Sequence, residues 1–373
     1  MPRVAVSVIE RISQGSQASV GRLDPLLLVC EEQPGATREL PATTGGTSVP
    51  QVIQQAVQFH QQGRLGEAER LYREALRASP RDFDVLHFYG VLKLQQGNPA
   101  EAVALMSRAV ELRPKDVKAL SNLSVALMML NRHDEAVAHC DRILAIQDGD
   151  VSALQNRGMA LGHLGRLEEA LASFDQVLAI VPDHVNAMFN RGTMLLHLAR
   201  YEDALASYDR ALALDPSHLE TLNNRGNLLA GLDRNDEAVA SFDRVLAIAP
   251  NHVSALINRS NTLRKLQRHD EALASNERAL ALAPDHVEAL SNRGNLLLDL
   301  HRPSEALAAF DRARTVRPPD ANLLTNRAVA LYGLERYQEA LLSCEEALAI
   351  DPGFANAHLI RGHALAKLGR PAN

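Results

Sequence analysis

The sequence predicts an all-α fold, a right-handed superhelix of nine full 34-residue helix–turn–helix repeats plus one terminal helix, and three in-phase columns of residues predict it. Pro80, Pro114, Pro182, Pro216, Pro250, Pro284, Pro318 and Pro352 fall on one 34-residue grid, and Asp148 takes the only missing slot. With each repeat numbered so that this proline is residue 32, position 20 is alanine nine times, from Ala68 to Ala340. Position 8 is glycine or another small residue, as in Ala56, Gly90, Ser124, Gly158, Gly192, Gly226, Ser260, Gly294 and Ala328. Small residues at these two places let two helix backbones approach closely. A unit of this length cannot bury its apolar face alone, so successive units stack around one long thin core.

Residues 1–48 stay off the grid. Val4, Val6, Val8, Ile9 and Ile12 form one short apolar stretch and Leu26–Cys30 another. Neither approaches the roughly 18 residues of a membrane span, so no span is expected. The opening also lacks the basic end, long apolar stretch and small-residue cleavage site of a secretory signal. Residues 31–50, rich in Pro, Gly and Thr, read as a linker, and the whole segment as a largely disordered leader.

The nine repeats occupy 49–354, and the stretch 219–252 shows the logic of each. Leu219, Leu222, Gly226, Leu228 and Leu229 place apolar or small residues at helical spacing. A break is expected at Asp233-Arg234-Asn235, where short polar side chains compete with the helical backbone. A second helix then runs from Glu237 to Ile248 and stops before Pro250. Asp183, Ser217, Asn251 and Asp285, each directly after the proline, are the expected N-caps of the next helix. Residues 355–373 read as the first helix of an incomplete tenth repeat and a tail. Its Ala357, Ile360, Ala364, Leu365 and Leu368 have no second helix to cover them, which predicts self-association or partner docking through this end.

Composition narrows the function classes. The net charge is −6 and no basic run appears, so there is no electrostatic footprint for nucleic acid. The three cysteines are scattered, which suits unpaired thiols in a reducing compartment and a cytoplasmic location. Cys140 and Cys344 occupy position 24, where a small buried hydrophobe is expected. His184, His218, His252 and His286 end four successive repeats. Neighbouring repeats are roughly a helix diameter, about 10 Å, apart, too far to share a metal held at about 2 Å. These histidines therefore read as loop or cap residues. No P-loop, nucleophile elbow, Cys-pair zinc site or paired-carboxylate cleft appears, so neither catalysis, a metal nor a cofactor is expected.

The in-phase pattern resembles the tetratricopeptide repeat (TPR) family from residue 49 to about 368. Position 24 is often aromatic (Tyr72, Phe174, Tyr208, Phe242, Phe310), as that family's gap-filling residue is. The family's tryptophan near the repeat start is replaced here by Leu86, Leu120, Leu154, Met188, Leu222 and Leu256. The resemblance implies that first helices line a concave groove and that position 6 faces it. Position 6 is asparagine in seven successive repeats: Asn122, Asn156, Asn190, Asn224, Asn258, Asn292 and Asn326. Asparagine is a mediocre helix former, so its recurrence needs a cause. An amide offers a donor and an acceptor together, the complement of a peptide bond. The column is similar to the asparagine ladder in the repeat region of O-GlcNAc transferases.

Position 9 varies (Val125, Met159, Thr193, Val329), which argues against simple copying, and adds Asn227, Asn261 and Asn295 in repeats six to eight. With Asn223, Ser254, Ser291, Arg264 and Lys265, this is the most polar stretch and the expected seat of partner selectivity. Repeats three and five are more apolar there, with Met128, Met129, Phe189 and Leu196, which read as packing between first helices. The family's carboxylate clamp is not expected, since Lys118 stands alone where paired lysines would be needed. Position 7 carries Arg157, Arg191, Arg225, Arg259, Arg293, Arg327 and Arg361, and position 25 the acids Asp141, Asp175, Asp209, Asp243, Glu277, Asp311 and Glu345. The acidic column starts one repeat earlier, which predicts pairing of each arginine with the acid of the preceding repeat.

The function expected from these residues is non-catalytic: a scaffold or adaptor that holds an extended segment of a partner protein. The alternative, which the ladder's resemblance implies, is the substrate-recruiting arm of an O-GlcNAc-transferase-like enzyme whose catalytic domain is absent from this chain. RNA binding fits less well, since the groove columns are mostly neutral.

Overall fold

The computed structural model describes residues 48–370. The two apolar stretches of the leader, the linker up to residue 47 and positions 371–373 lie outside the described residues. The described chain is an all-α solenoid of nineteen helices with no strand, and it divides into two compact units at Asp215/Pro216. First helices are 13 residues long and second helices 14. The unit up to Asp215 contains α1 Val49–Gln61, α2 Leu65–Ala78, α3 Phe83–Gln95, α4 Pro99–Leu112, α5 Val117–Met129, α6 His133–Ile146, α7 Val151–His163, α8 Leu167–Ile180, α9 Val185–His197 and α10 Tyr201–Leu214. The unit from Pro216 contains α11 Leu219–Gly231, α12 Asn235–Ile248, α13 Val253–Lys265, α14 His269–Leu282, α15 Val287–Asp299, α16 Pro303–Val316, α17 Ala321–Gly333, α18 Tyr337–Ile350 and α19 Ala355–Lys367.

Each hairpin closes on positions 8, 20 and 24. The position-20 alanines are fully buried, and the residue at position 24 fills the gap beside position 8. A Cβ added at Gly158 would lie 2.7 Å from Phe174, at Gly226 2.6 Å from Phe242 and at Gly294 2.3 Å from Phe310. Tyr208 and Met106 crowd Gly192 and Gly90 in the same way. Where position 8 carries a Cβ, position 24 of the same repeat is smaller: Cys140 with Ser124, Asn276 with Ser260 and Cys344 with Ala328. Only Ala56 with Tyr72 departs from this rule among the nine pairs. Cys140 and Cys344 are free buried thiols, and burial pushes them up to about 12 and about 11 respectively.

Two expectations about the repeat need correcting. The first helices are capped one residue later than the sequence suggests, by position 34 and not by Asp183, Ser217, Asn251 and Asp285. Nδ1 of His184, His218, His252 and His286 accepts from the backbone N–H of Ala187, Thr221, Ala255 and Ala289 at 3.1–3.3 Å. Asp82, Asp116, Asp150 and Asp320 cap in the same place with a carboxylate oxygen at 2.7–3.0 Å. The histidines are thus caps, as one of the two expected roles had it. The break in 219–252 is also shorter than expected, because α12 starts at Asn235. The turn is made by position 15 in the left-handed region: Asn131, Ala199, Asp233, Gln267, His301 and Glu335 all have φ of 57–60°. The Arg200 N–H reaches back to the Leu195 carbonyl at 2.8 Å and the Ala199 N–H to Leu196 at 3.0 Å, a Schellman closure that reverses the chain in two residues.

The arginine–acid ladder forms within each unit. Arg157 meets Asp141 at 2.7 Å; Arg191 meets Asp175, Arg259 meets Asp243 and Arg327 meets Asp311 at 2.6 Å; Arg293 is 3.7 Å from Glu277. Nε of Arg361, at the end of the column, is buried without a partner. The same guanidinium also donates to a buried serine at position 23 of its own repeat: Ser173 from Arg157, Ser241 from Arg225, Ser275 from Arg259 and Ser343 from Arg327, at 2.5–2.9 Å. Three of these serines donate in turn to the carbonyl four residues earlier, Ser173 to Glu169, Ser241 to Glu237 and Ser275 to Glu271. The serine column recurs in phase in the sequence and was open to discovery there. Each ion pair keeps its acid about half exposed, so each contributes only about 0–1 kcal/mol, and the ladder acts chiefly on register.

Candidate partner-binding face

The asparagine column runs along the first helices, where adjacent repeats meet. Asn122 on α5 contacts His87 on α3 across one repeat, Nδ2 to Nε2 at 3.0 Å. The neighbouring columns obey the same geometry in the second unit. Nζ of Lys265 on α13 donates to the Ala230 carbonyl of α11 at 2.8 Å, and Nε of Arg264 donates to Asp299 of α15 at 2.5 Å. Positions 6, 9, 12 and 13 therefore share one face in each unit, set by the helical spacing of three to four residues.

None of the ten candidate asparagines is fully exposed. Asn122, Asn156 and Asn224 are buried, while Asn190, Asn227, Asn258, Asn261, Asn292, Asn295 and Asn326 are half-buried. Four amides of the column keep a buried atom without a hydrogen-bond partner in the protein: Oδ1 of Asn122 and Asn156, and Nδ2 of Asn258 and Asn292. Oδ1 of Asn223 is in the same condition. For Asn122, turning the amide over only exchanges which atom is left out, since His87 satisfies one of the two. A buried amide atom without a partner costs on the order of 1–3 kcal/mol, so these positions are a poor choice for stability alone. At position 9, Asn261 Nδ2 reaches Glu288 of the next repeat at 3.5 Å.

The more apolar stretches are largely buried, but the ring contact seen is with the second helix of the same repeat and not between first helices. Met128 and Leu196 are buried, and Phe189 lies against Tyr208 with ring centroids 6.2 Å apart, although Met129 is 41% exposed. At the start of the array, Glu69 gathers Lys93, Gln96 and Arg73 at 3.0, 2.9 and 2.5 Å. These contacts, Gln96 foremost, hold its carboxyl below the usual range. Nζ of Lys93, almost buried, also meets Glu101 at 3.1 Å, so its charge is matched inside the protein. Two histidines stack in parallel at the junction of repeats three and four, His133 on His163 with centroids 4.5 Å apart, and burial pushes both imidazoles below their ordinary value. Sequence reading missed that pair because its members sit 30 residues apart, off the repeat period. Among the described residues no cluster of His, Cys, Asp and Glu could hold a metal ion, and no helix is long and apolar enough to cross a membrane.

Comparison with known proteins agrees with this architecture. Tetratricopeptide repeat profiles match residues 59–110 and 93–157, 156–218 and 291–354, and 217–285 and 252–318, which together cover 59–354 without a gap. No curated protein matches the chain. Among solved structures it is similar to the APC/C hetero-tetramer Cut9–Hcn1, at 13% identity and a TM-score of 0.52, over 85% of this chain and 76% of that one. It is similar also to PilW, a type IV pilus biogenesis factor, at 22% identity and a TM-score of 0.51, over 56% of this chain and 97% of that one. A tetratricopeptide repeat protein from Parabacteroides merdae is 19% identical, with a TM-score of 0.45, over 76% of this chain and 98% of its own. At these identities the first two similarities speak for the fold alone. The columns at positions 8, 20, 24 and 32, the hairpins they close and the gapless run of profile matches lead to one assignment: the chain belongs to the tetratricopeptide repeat family.

Proposed function

We propose that this chain is a non-catalytic, cytoplasmic protein-interaction scaffold whose first-helix face holds an extended segment of a partner protein, with its asparagine amides meeting the partner's main chain. One contrast carries the reading. Arg157, Arg191, Arg259 and Arg327, the serines they reach and the His and Asp caps at position 34 find partners inside the protein, with Arg361 Nε the exception, whereas the position-6 column keeps buried amide atoms without one at Asn122, Asn156, Asn258 and Asn292. A peptide bond supplies the missing acceptor or donor whichever side chains flank it, which favours an extended partner read through its backbone. The test is capture of cytosolic partners by wild type and by the variant N224A/N258A/N292A, after circular dichroism has shown equal helicity. Loss of bound partners by the folded variant supports the reading, and undiminished capture refutes it.

The same amides support a second reading, the recruiting arm of an O-GlcNAc-transferase-like enzyme with its catalytic domain elsewhere. Glycosyltransferase activity co-purifying with the chain distinguishes the two. The face of α19 read from the sequence as uncovered is in fact covered, with Ala357, Ala364 and Leu365 buried and Ile360 and Leu368 packed against the core, so the proposal of self-association or partner docking through the last helices rests instead on Leu342 and Leu359, 58% and 55% exposed. Sedimentation showing only monomer at high micromolar concentration would count against that extension.

A further inference from the structure

The last helix, α19, presents a packing surface that the earlier repeats cover. In repeats four, five, six and eight the second helix lays Phe174, Tyr208, Phe242 or Phe310 on the glycine at position 8, and all four rings are fully buried. Gly362 holds position 8 on α19, and among the described residues nothing lies within 4 Å of a Cβ built there. Leu359 at position 5 is 55% exposed, whereas Asn223, Ile257 and Thr325 in the same place are buried. Ala355 and His358 are exposed too, while their counterparts on α17, Ala321 and Leu324, are buried. The side of α19 that carries Ala357, Ala364 and Leu365 is covered; this is another one. The sequence holds a second-helix pattern off the 34-residue grid, at residues 2–12. Residues 5–12 read Ala-Val-Ser-Val-Ile-Glu-Arg-Ile, against Ala-Val-Ala-Ser-Phe-Asp-Arg-Val at 238–245. With Ala5 set at position 20, Pro2 falls at 17, as Pro99 and Pro303 do, and Ile9, Glu10 and Arg11 fall at 24, 25 and 26. Position 20 is alanine in all nine full repeats, position 25 acidic in seven and position 26 arginine in six, so the match extends beyond the apolar residues.

We infer that residues 2–12 dock as a second helix on α19 of their own chain, with Ile9 laid on Gly362 and Leu359. Position 24 makes both contacts elsewhere: Tyr208 crowds Gly192, and its ring centroid is 6.2 Å from that of Phe189 at position 5. An aliphatic side chain suffices, since Met106 fills the place beside Gly90. Ala5 then sits at the close approach of the two backbones. Arg11 comes to the Pro352 carbonyl, as Arg142, Arg244 and Arg278 donate to the carbonyls of Pro114, Pro216 and Pro250 at 2.9–3.0 Å. Val8 departs from the pattern, standing where serine receives the position-7 arginine in four repeats, so this helix leaves Arg361 unserved. The tether favours the chain's own leader over that of a second copy. The 35 residues between Ile12 and Ser48 reach about 115 Å when extended, more than nine repeats at about 10 Å each. A tethered segment also meets its site at a higher effective concentration than a free one. Docking covers Leu359 and leaves Leu342 as the part of this end open to a second copy.

The experiment is hydrogen exchange of the full chain, read by mass spectrometry, on wild type, A5E, S7E and G362L. A5E puts a charge at the close approach, where the alanine of all nine full repeats is fully buried. S7E alters position 22, which is exposed as Ala172, Ala206 and Ala240 on α8, α10 and α12. G362L fills the place of Ile9 from the side of α19. The expected result is joint protection of residues 3–12 and α19 in wild type and S7E, the same at low and at high micromolar concentration. In A5E both should exchange about tenfold faster, with α1–α4 unchanged, and G362L should release residues 3–12. Residues 3–12 exchanging like a free peptide in wild type, or protection undiminished in A5E, overturn the docking. Protection that grows with protein concentration gives the site to the leader of a second copy and overturns the assignment within one chain. The asparagine face stands or falls separately, by the capture experiment.

Discussion

Asn276 is the least explained residue of the core, and repairing it tests how the repeat is packed. It occupies position 24 of repeat seven, residues 253–286, where phenylalanine or tyrosine stands in neighbouring repeats. It is fully buried, and neither Oδ1 nor Nδ2 has a hydrogen-bond partner in the protein. Such a group withholds about 1–3 kcal/mol, and burying a phenylalanine instead would add about 1.5–3 kcal/mol. The ring needs room, because at Gly226 and Gly294 it lies 2.6 and 2.3 Å from where a Cβ would be, and repeat seven has Ser260 there. N276F alone is therefore overpacked, at a cost of about 1–3 kcal/mol. S260G alone loses the Ser260 bond to the Ala272 carbonyl, 2.8 Å long, and some helix propensity. The double variant S260G/N276F is expected to be about 2–3 kcal/mol more stable than wild type, with coupling between the two changes above about 1 kcal/mol. Urea unfolding followed by circular dichroism reads the sum, and hydrogen exchange of α13 and α14 reads the repeat itself, since arrays open locally. N276F as stable as the double variant would refute the glycine–ring coupling. A double variant no more stable than wild type would show that the Asn276 amide is satisfied in the native protein.

The turn at position 15 makes a second prediction. Ala199 and His301 hold φ of 57°, while Gly63, Gly97 and Gly165 take the same place with nothing within 4 Å of a built Cβ, so only backbone strain separates them. A199G is expected to raise stability by about 0.5–1 kcal/mol and G165A to lower it by a similar amount; equal denaturation midpoints for all three proteins would contradict the strain. Acid supplies a third. Burial pushes the imidazoles of His60, His87, His133, His163 and His197 below the ordinary value of 6.5. The unfolded chain takes up protons first, so the stability these groups contribute is complete above pH 6.5 and declines as pH falls through 6.5 toward their lower folded values. Urea midpoints at pH 7.5, 6.5 and 5.5 should fall in that order, less so in H133L/H163L, and a flat profile would contradict the burial argument.

Period, hairpin order and the position-7 to position-25 register were legible because each is repeated in phase, which turns a weak local signal into a strong one. Phase also fixed which acid five of the seven arginines meet, before any contact was known, while Arg361 at the end of the column keeps an unpartnered Nε. The N-caps were not legible. Asp183 and Asp285 are good capping residues by type, yet the chain geometry gives the cap to the histidine that follows them, and imidazole Nδ1 is an uncommon cap acceptor. The left-handed turn was hidden for a related reason. Ala199 and Gln267 give no turn signal, and the Schellman closure imposes φ on whatever residue falls at position 15. The asparagine column could be picked out by recurrence, but recurrence says nothing about whether an amide is satisfied. That depends on what the adjacent first helix offers, such as His87 opposite Asn122.

Repeat seven joins two departures from its neighbours, a core amide without partners at Asn276 in the middle of its hairpin and a polar cluster of Arg264, Lys265 and His269 at the turn that closes it. In a linear array an interior repeat with weak internal packing depends on its interfaces, and anything bound there shifts its opening directly. A ligand at 100 times its Kd adds about 2.7 kcal/mol, close to what repairing Asn276 would add. If the asparagine face binds a segment across repeat seven as proposed, a peptide selected on the protein should slow hydrogen exchange most in α13 and α14, and slow it less in S260G/N276F, whose repeat is already closed. Uniform protection across α11–α19, or protection unchanged by the core repair, would separate the two departures and leave Asn276 a packing fault with no bearing on binding.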